Sequence, residues 1–280
     1  MLHSHGMNAS PLDSVLARLG SPRIASFIVT LWGDAVAPRG GSLWLGTLQA
    51  VLDRFGCTPG QVRTAMSRLT EEGWLIRNRV GRLSFYRLGP RGEAVFTQAS
   101  ARIYAGAQPA WDGRFALVQP GDPEEVPLLD AALFGHLGSS LRIGLDPPPG
   151  LDRAILLHAR PRSLGEARRL AGQGWQLDPL AELYGRFLAG FAALPEALPA
   201  DEALPLRLML VHEWRRIVLR DPGLPPDLLP PDWPGHAARR HAAGLYRRLL
   251  PPSEAWLDRE GRCEAGPLPP AALEGRFQGL

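Results

Sequence analysis

At 280 residues, with 45% hydrophobic and 21% charged residues, the chain is longer than one typical domain and is no wholly disordered polymer. Its longest stretch without Asp, Glu, Lys or Arg is the thirteen residues 40–52, too short to span a bilayer as a helix. The net charge of +3 is unevenly placed: residues 1–110 hold twelve Arg against six acidic residues, net +6, whereas 111–280 hold nineteen against twenty-two, net −3. Every basic residue is Arg, as codon usage in a GC-rich genome produces, and the Arg fork suits phosphate. Two cysteines, Cys57 and Cys263, make no disulfide framework, and no charged-then-apolar leader opens the chain, so a cytoplasmic protein without membrane contact is expected.

Residues 1–20 begin with a polar, unpatterned run and are expected to be loose. Ser21-Pro22 then opens a helix carrying Ile24, Phe27, Ile28 and Leu31 to about residue 36, and Pro38-Arg39-Gly40-Gly41 breaks it. Ser42 caps a second helix through Phe55, ended by Gly56. Thr58-Pro59-Gly60-Gln61 is a capping box for a third, which stops at Gly73. The period then changes from 3.6 to 2, predicting strands at 74–79 and 83–88 around a tight turn. Three helices and a hairpin form a winged helix-turn-helix, here with a further helix at 91–104, giving a unit at 21–104 and a linker at 105–110.

From 111 to 177 the pattern predicts a strand at 111–119, a helix at 126–137, strands at 140–145 and 154–159, a helix at 164–171 and a strand at 174–177. That βαββαβ order is ferredoxin-like. Helices at 179–193, 204–220 and 236–250 follow in a helical domain over 178–258, and the Gly/Pro-rich stretch 259–280 is expected to be a loosely packed tail. The fold class is therefore α+β.

In the third helix Val62, Ala65, Met66 and Leu69 fall on one stripe. The other side offers Gln61, Arg63, Thr64, Ser67 and Arg68, short hydrogen-bonding side chains bordered by Arg, as a helix entering a major groove requires. The hairpin adds Arg77, Arg79, Arg82 and Arg87 with no acidic residue between Gly73 and Gly92, a charge skew that suits phosphate. Catalytic and metal constellations are poor. His212-Glu213-Trp214-Arg215-Arg216 starts like a zinc-protease helix but has Arg216 where the second His belongs, and there is no nucleophile elbow, phosphate loop or dinucleotide fingerprint. The helix 204–220 is expected to bury Leu210, Val211, Trp214, Ile217 and Val218 and to present His212, Arg216 and Arg220 on its other side, either solvated or as a seat for an anionic, partly apolar ligand.

Leu31-Trp32-Gly33-Asp34, Pro38-Arg39-Gly40-Gly41, Val62-Arg63-Thr64-Ala65, Glu72-Gly73-Trp74-Leu75 and Trp111-Asp112-Gly113 resemble the phenylacetic acid degradation repressors of the PaaX type. His212-Glu213 with Arg215-Arg216, Leu219-Arg220-Asp221-Pro222 and Asp232-Trp233-Pro234-Gly235 resemble that family's C-terminal domain. The resemblance implies a winged helix-turn-helix, a Cas2-like middle domain, a helical C-terminal domain, and a homodimer on a double-stranded DNA operator. It also implies release by an aryl-CoA effector such as phenylacetyl-CoA, with no cofactor and no catalytic residue. Two rivals follow: an aryl-CoA-handling enzyme with a nucleic-acid tether, and a Cas2-like nuclease. The nuclease would need an acidic residue ending the first middle strand, where Phe115-Ala116-Leu117-Val118-Gln119 stands and Asp122 comes only beyond Pro120-Gly121.

Overall fold

Caps and glycines set the frame of the N-terminal unit in the computed structural model, which describes residues 10–106, 110–196, 198–199 and 201–279. The expected loose start is a helix from Pro11 on. Ser10 caps α1 (Pro11–Leu19), whose Leu12 and Val15 are buried, while Glu202 accepts from the Leu12 N–H at 3.0 Å. Residues 1–9, and 107–109 of the expected linker, lie outside the described residues.

α2 (Ile24–Leu31) passes through a π-helical turn, Trp32–Val36, and a 3-10 turn, Ala37–Arg39, before Gly40 takes a left-handed conformation. The helix expected from residue 43 begins two residues later. Ser42–Trp44 is a short strand, β1, whose backbone pairs with the later hairpin, and α3 (Leu45–Asp53) follows. Then come α4 (Pro59–Glu71), β2 (Leu75–Val80), β3 (Leu83–Leu88) and α5 (Pro90–Ile103). The three strands make an antiparallel sheet in the order β1-β3-β2.

The middle segment departs from the expected βαββαβ order. β4 (Phe115–Gln119) and α6 (Glu125–Ala131) are followed by β5 (Gly135–Leu137), β6 (Leu141–Gly144), β7 (Ile155–Ala159) and α7 (Leu164–Gly174). Their sheet is antiparallel in the order β5-β6-β4-β7. Because β6 and β7 occupy both sides of β4, no place beside it remains for a strand at 174–177; Gly174 closes α7 and Leu177 opens α8 (Leu177–Phe191). The helix expected to reach 137 stops at Ala131, since Leu133 adopts φ 57° and the next residues pair with β6. β7 is an edge strand exposing Ile155 (57%), Leu156 (41%) and Leu157 (57%).

α9 (Ala203–Val218) is the centre of the molecule, buried at every residue from Ala203 to His212. α10 (Pro234–Glu260) crosses it and runs ten residues beyond its expected end, through Pro251 and Pro252. Each proline lacks a helical N–H donor, and the Ser253 hydroxyl donates to the Leu249 carbonyl at 2.6 Å. One apolar core runs from Leu12 to Phe277, with a smaller cluster of Ala116, Val118, Leu129 and Phe134 under the middle sheet.

The expected loose tail is packed instead. After a small hairpin, β8 (Arg262–Cys263) and β9 (Gly266–Pro267), Leu268 and Phe277 are buried and Arg276 reaches Asp34. Asp34 is wholly buried, with Arg207 at 2.7 Å, Arg276 at 2.8 Å and the hydroxyls of Tyr104 and Tyr246 donating at 2.6 and 3.1 Å. Burial alone would raise its pKa, but the two guanidiniums hold it below the ordinary aspartate value.

Candidate nucleic-acid interface

The capping box forms as the sequence predicts: the Gln61 N–H donates to the Thr58 hydroxyl and the Thr58 N–H to the Gln61 side-chain oxygen at 2.8 Å. Val62, Met66 and Leu69 are buried, which turns Gln61, Arg63, Thr64, Ser67 and Arg68 to solvent together. Local partners restrain several of them. The Thr64 hydroxyl donates to the Gly60 carbonyl at 3.1 Å, Ser67 donates to Glu71 at 2.9 Å, and Arg68 pairs with Glu72 at 3.0 Å. Gln61 has given its oxygen to the cap, so only its amide N–H donors remain for a ligand.

The hairpin turns through two residues, Gly81 and Arg82, with Gly81 at φ 60°, and Val80 lies opposite Leu83. Cross-strand pairing fixes which side chains share a face. Arg77 and Arg79 lie together on one face, where the Arg77 guanidinium donates to the Ser84 hydroxyl at 2.8 Å. Arg82 is exposed at the tip. Arg87, opposite Ile76, is on the other face, so the four hairpin arginines do not form one patch.

The fold also brings Arg23 beside the exposed side of α4. A groove of about 910 Å³ separates the start of α2 from α4 and is lined by Arg23, Ser26, Gln61, Thr64 and Arg68. Arg23 precedes a helix and carries no motif; only the folded approach of α2 to α4 reveals it.

The expected ligand trio separates. His212 is in the core, its Nδ1 2.9 Å from the Thr30 hydroxyl and its ring edge-on to Phe27. Burial, reinforced by Arg215 and Arg216, pushes its pKa down to about 3. His212 and Arg216 stay one turn apart on α9, but the expectation that His212 is presented outward with Arg216 and Arg220 fails, because at His212 that side of the helix is covered by α2. Arg216 pairs with Glu213 at 3.0 Å, and Arg216 and Arg220 border a small cavity with Arg186 and Leu19. Larger concavities flank Trp175: a cleft of about 730 Å³ with Arg168 and Leu228, and one of about 350 Å³ reaching Arg220 and His136. In the region a nuclease would use, the Glu125 carboxylate accepts from the backbone N–H groups of Gly121, Asp122 and Arg153 at 2.8, 3.2 and 2.8 Å. A carboxylate held this way braces two loops.

Comparison with known proteins decides the kinship. Residues 23–92 match the PaaX-like protein model and 175–259 the PaaX-like protein C-terminal domain model. The chain is 35% identical over 305 aligned positions to the transcriptional repressor PaaX of Escherichia coli (strain K12), covering 99% of this chain and 93% of that protein. The chain belongs to the PaaX family. Its kin are therefore transcriptional regulators and not enzymes. An uncharacterized protein, Rv0674 of Mycobacterium tuberculosis, shares the fold at TM-score 0.56 and 24% identity, over 81% of this chain and 95% of its own. The first PaaX match spans α2 to the start of α5, and the second spans α8 to α10; β4 to β7 and the terminal hairpin lie outside both.

Proposed function

We propose that this PaaX-family chain is a repressor of phenylacetate catabolism that binds a double-stranded DNA operator through a winged helix-turn-helix at 21–104. The carrying observation is that α4 turns five polar or basic side chains outward beside a hairpin bearing Arg77, Arg79 and Arg82. Short polar groups flanked by Arg read base edges, and the hairpin arginines meet phosphate.

In this reading two copies act together in the cytoplasm through β7, whose free edge and exposed Ile155 and Leu157 suit antiparallel pairing with the same strand of a second copy. The effector is an aryl-CoA thioester such as phenylacetyl-CoA. The clefts beside Trp175, where Arg168 and Arg220 supply positive charge for its phosphates, are the best seat. An effector that binds better to a dimer whose two α4 helices no longer match the half-site spacing releases the operator.

A mobility shift on DNA upstream of the chain's own gene tests this. Expected is a specific complex that phenylacetyl-CoA dissolves and free CoA does not. Consumption of the thioester without any DNA complex would replace the repressor with the aryl-CoA enzyme.

A further inference from the structure

The C-terminal segment follows the last family-matched residue, 259, and folds back over the N-terminal head. Its course is fixed at successive points. Pro269 accepts from Arg39, the Ala272 N–H donates to the Pro38 carbonyl at 2.9 Å, Arg276 enters the Asp34 pocket, and the Phe277 N–H donates to the Tyr104 carbonyl at 2.9 Å. Before this, the chain makes the β8–β9 hairpin, in which Cys263 pairs with Gly266 and leaves Glu264 and Ala265 as the turn. The hairpin lies against β1.

At that turn Glu264 meets the head. One carboxylate oxygen accepts from the Ser42 hydroxyl on β1, and the other accepts from the Asn78 amide on β2 at 3.4 Å. β1 and β2 are the outer strands of the sheet, with β3 between them. Register places Arg87 of β3 directly opposite Ser42 on one side and Ile76 on the other, on the same face as Asn78. The carboxylate thus bridges the sheet over Arg87.

We propose that Glu264 is a positioning residue for DNA reading: it ties the outer strands of the wing sheet together and withdraws Arg87 from the arginines free to meet phosphate. The chemistry is consistent at each partner. Ser42 and Asn78 donate and the carboxylate only accepts, so each contact joins a donor to an acceptor. Glu264 has its pKa lowered, burial being outweighed by the bonds from Ser42 and Asn78 and by the charge of Arg87. β1 pairs only with residues 85–87 of β3, so the hairpin beyond them is two-stranded, and a two-stranded ribbon needs added support to hold its tip at one angle. Fixing that angle places Arg82 and the Arg77–Arg79 face against the backbone while α4 lies in the groove.

This inference rests on the DNA-binding reading, and Glu264→Gln and Glu264→Ala separate it from a pure charge effect. Both variants remove the negative charge, but only Gln can still bridge the two strands, its oxygen accepting from the Asn78 amide and its amide N–H donating to the Ser42 hydroxyl. Expected is operator affinity within about threefold of wild type for Gln and about tenfold weaker for Ala, the loss of hydrogen bonds to a charged group setting that scale. Equal affinities for the two variants, whether raised or unchanged, would overturn the proposal. Amide hydrogen exchange over 75–88 without DNA gives an independent answer: the Ala variant should exchange faster than the Gln variant. If wild type binds no DNA, the repressor reading falls while exchange still shows whether Glu264 holds the wing; identical exchange in all three chains overturns the inference outright.

Discussion

Arg68 leaves α4 with 66% of its side chain exposed and Glu72, one turn on, as its ion-pair partner. Such an exposed pair contributes little to stability, so in the proposed reading the guanidinium would exchange Glu72 for a guanine edge at small cost. Arg68→Ala should weaken operator binding by about 1–3 kcal/mol and leave random DNA almost untouched, whereas Arg82→Ala at the hairpin tip should weaken both and lower the salt slope by about 0.9. Titrations at several salt concentrations on both DNAs check this; equal losses on both for Arg68→Ala would deny it a reading role. His212 behaves oppositely, since nothing reaches it. Its unfolded imidazole titrates near the ordinary value of about 6.5, and the native one is pushed down to about 3 by burial and the neighbouring arginines. Between those pH values the unfolded chain holds a proton that the native chain refuses, so stability rises with pH and is lost as pH falls from about 6.5 toward 3. Thermal melts should show a lower midpoint at pH 5 than at pH 7.5, with a smaller difference in His212→Asn, which keeps an acceptor for Thr30; an unchanged difference would mean that other groups set the acid limit.

Elements whose ends carry their own chemistry were legible before the fold was seen. The Thr58 box, the Gly73 stop and the hairpin around Gly81 each act within a few residues, and α4, β2 and β3 stand where the pattern puts them. Elements decided by distant partners were not. Ser42–Trp44 has a helical pattern yet extends because β3, forty residues on, offers its edge. Residues 174–177 have a strand-like pattern yet join helices because β7 has taken the place beside β4. His212 misled for the same reason, as helical periodicity cannot show that α9 is enclosed on nearly every side. β7 itself carries the element-scale prediction. Its unpaired edge and the exposed Ile155 and Leu157, which share one face at 57% exposure each, are a poor surface to leave in water. Leu157→Glu should convert a dimer to a monomer in size-exclusion light scattering and weaken operator binding strongly while leaving the far-UV spectrum intact; a variant that stays dimeric would move the interface elsewhere.

At the scale of the molecule, the opening charge imbalance becomes an arrangement. In the proposed reading the basic N-terminal head meets DNA, and the mildly acidic body would discourage DNA from settling elsewhere on the surface. Head and body are nevertheless not independent beads. Leu12, Phe27 and Met66 from the first seventy residues share a core with Trp214, Leu249 and Phe277. Asp34 of the head neutralises Arg207 of α9 and Arg276 of the C-terminal segment, while Arg39 and Arg207 both pair with Glu254 of α10. Buried ion pairs add modest net stability when whole, but removing one partner strands the others without a counter-charge. Asp34→Asn keeps the shape but leaves Arg276 without its counter-charge and Arg207 with Glu254 alone, and should cost about 3–5 kcal/mol. Because the stranded charges lie at the junction, the loss should appear as one cooperative denaturant transition, shifted alike in tryptophan fluorescence and far-UV circular dichroism. Arg276→Ala should cost less, since Arg207 still neutralises Asp34. Two separated transitions in either variant, with the head melting first, would show that the shared core does not bind the head to the body; coincident transitions would mean that head and body unfold as one cooperative unit.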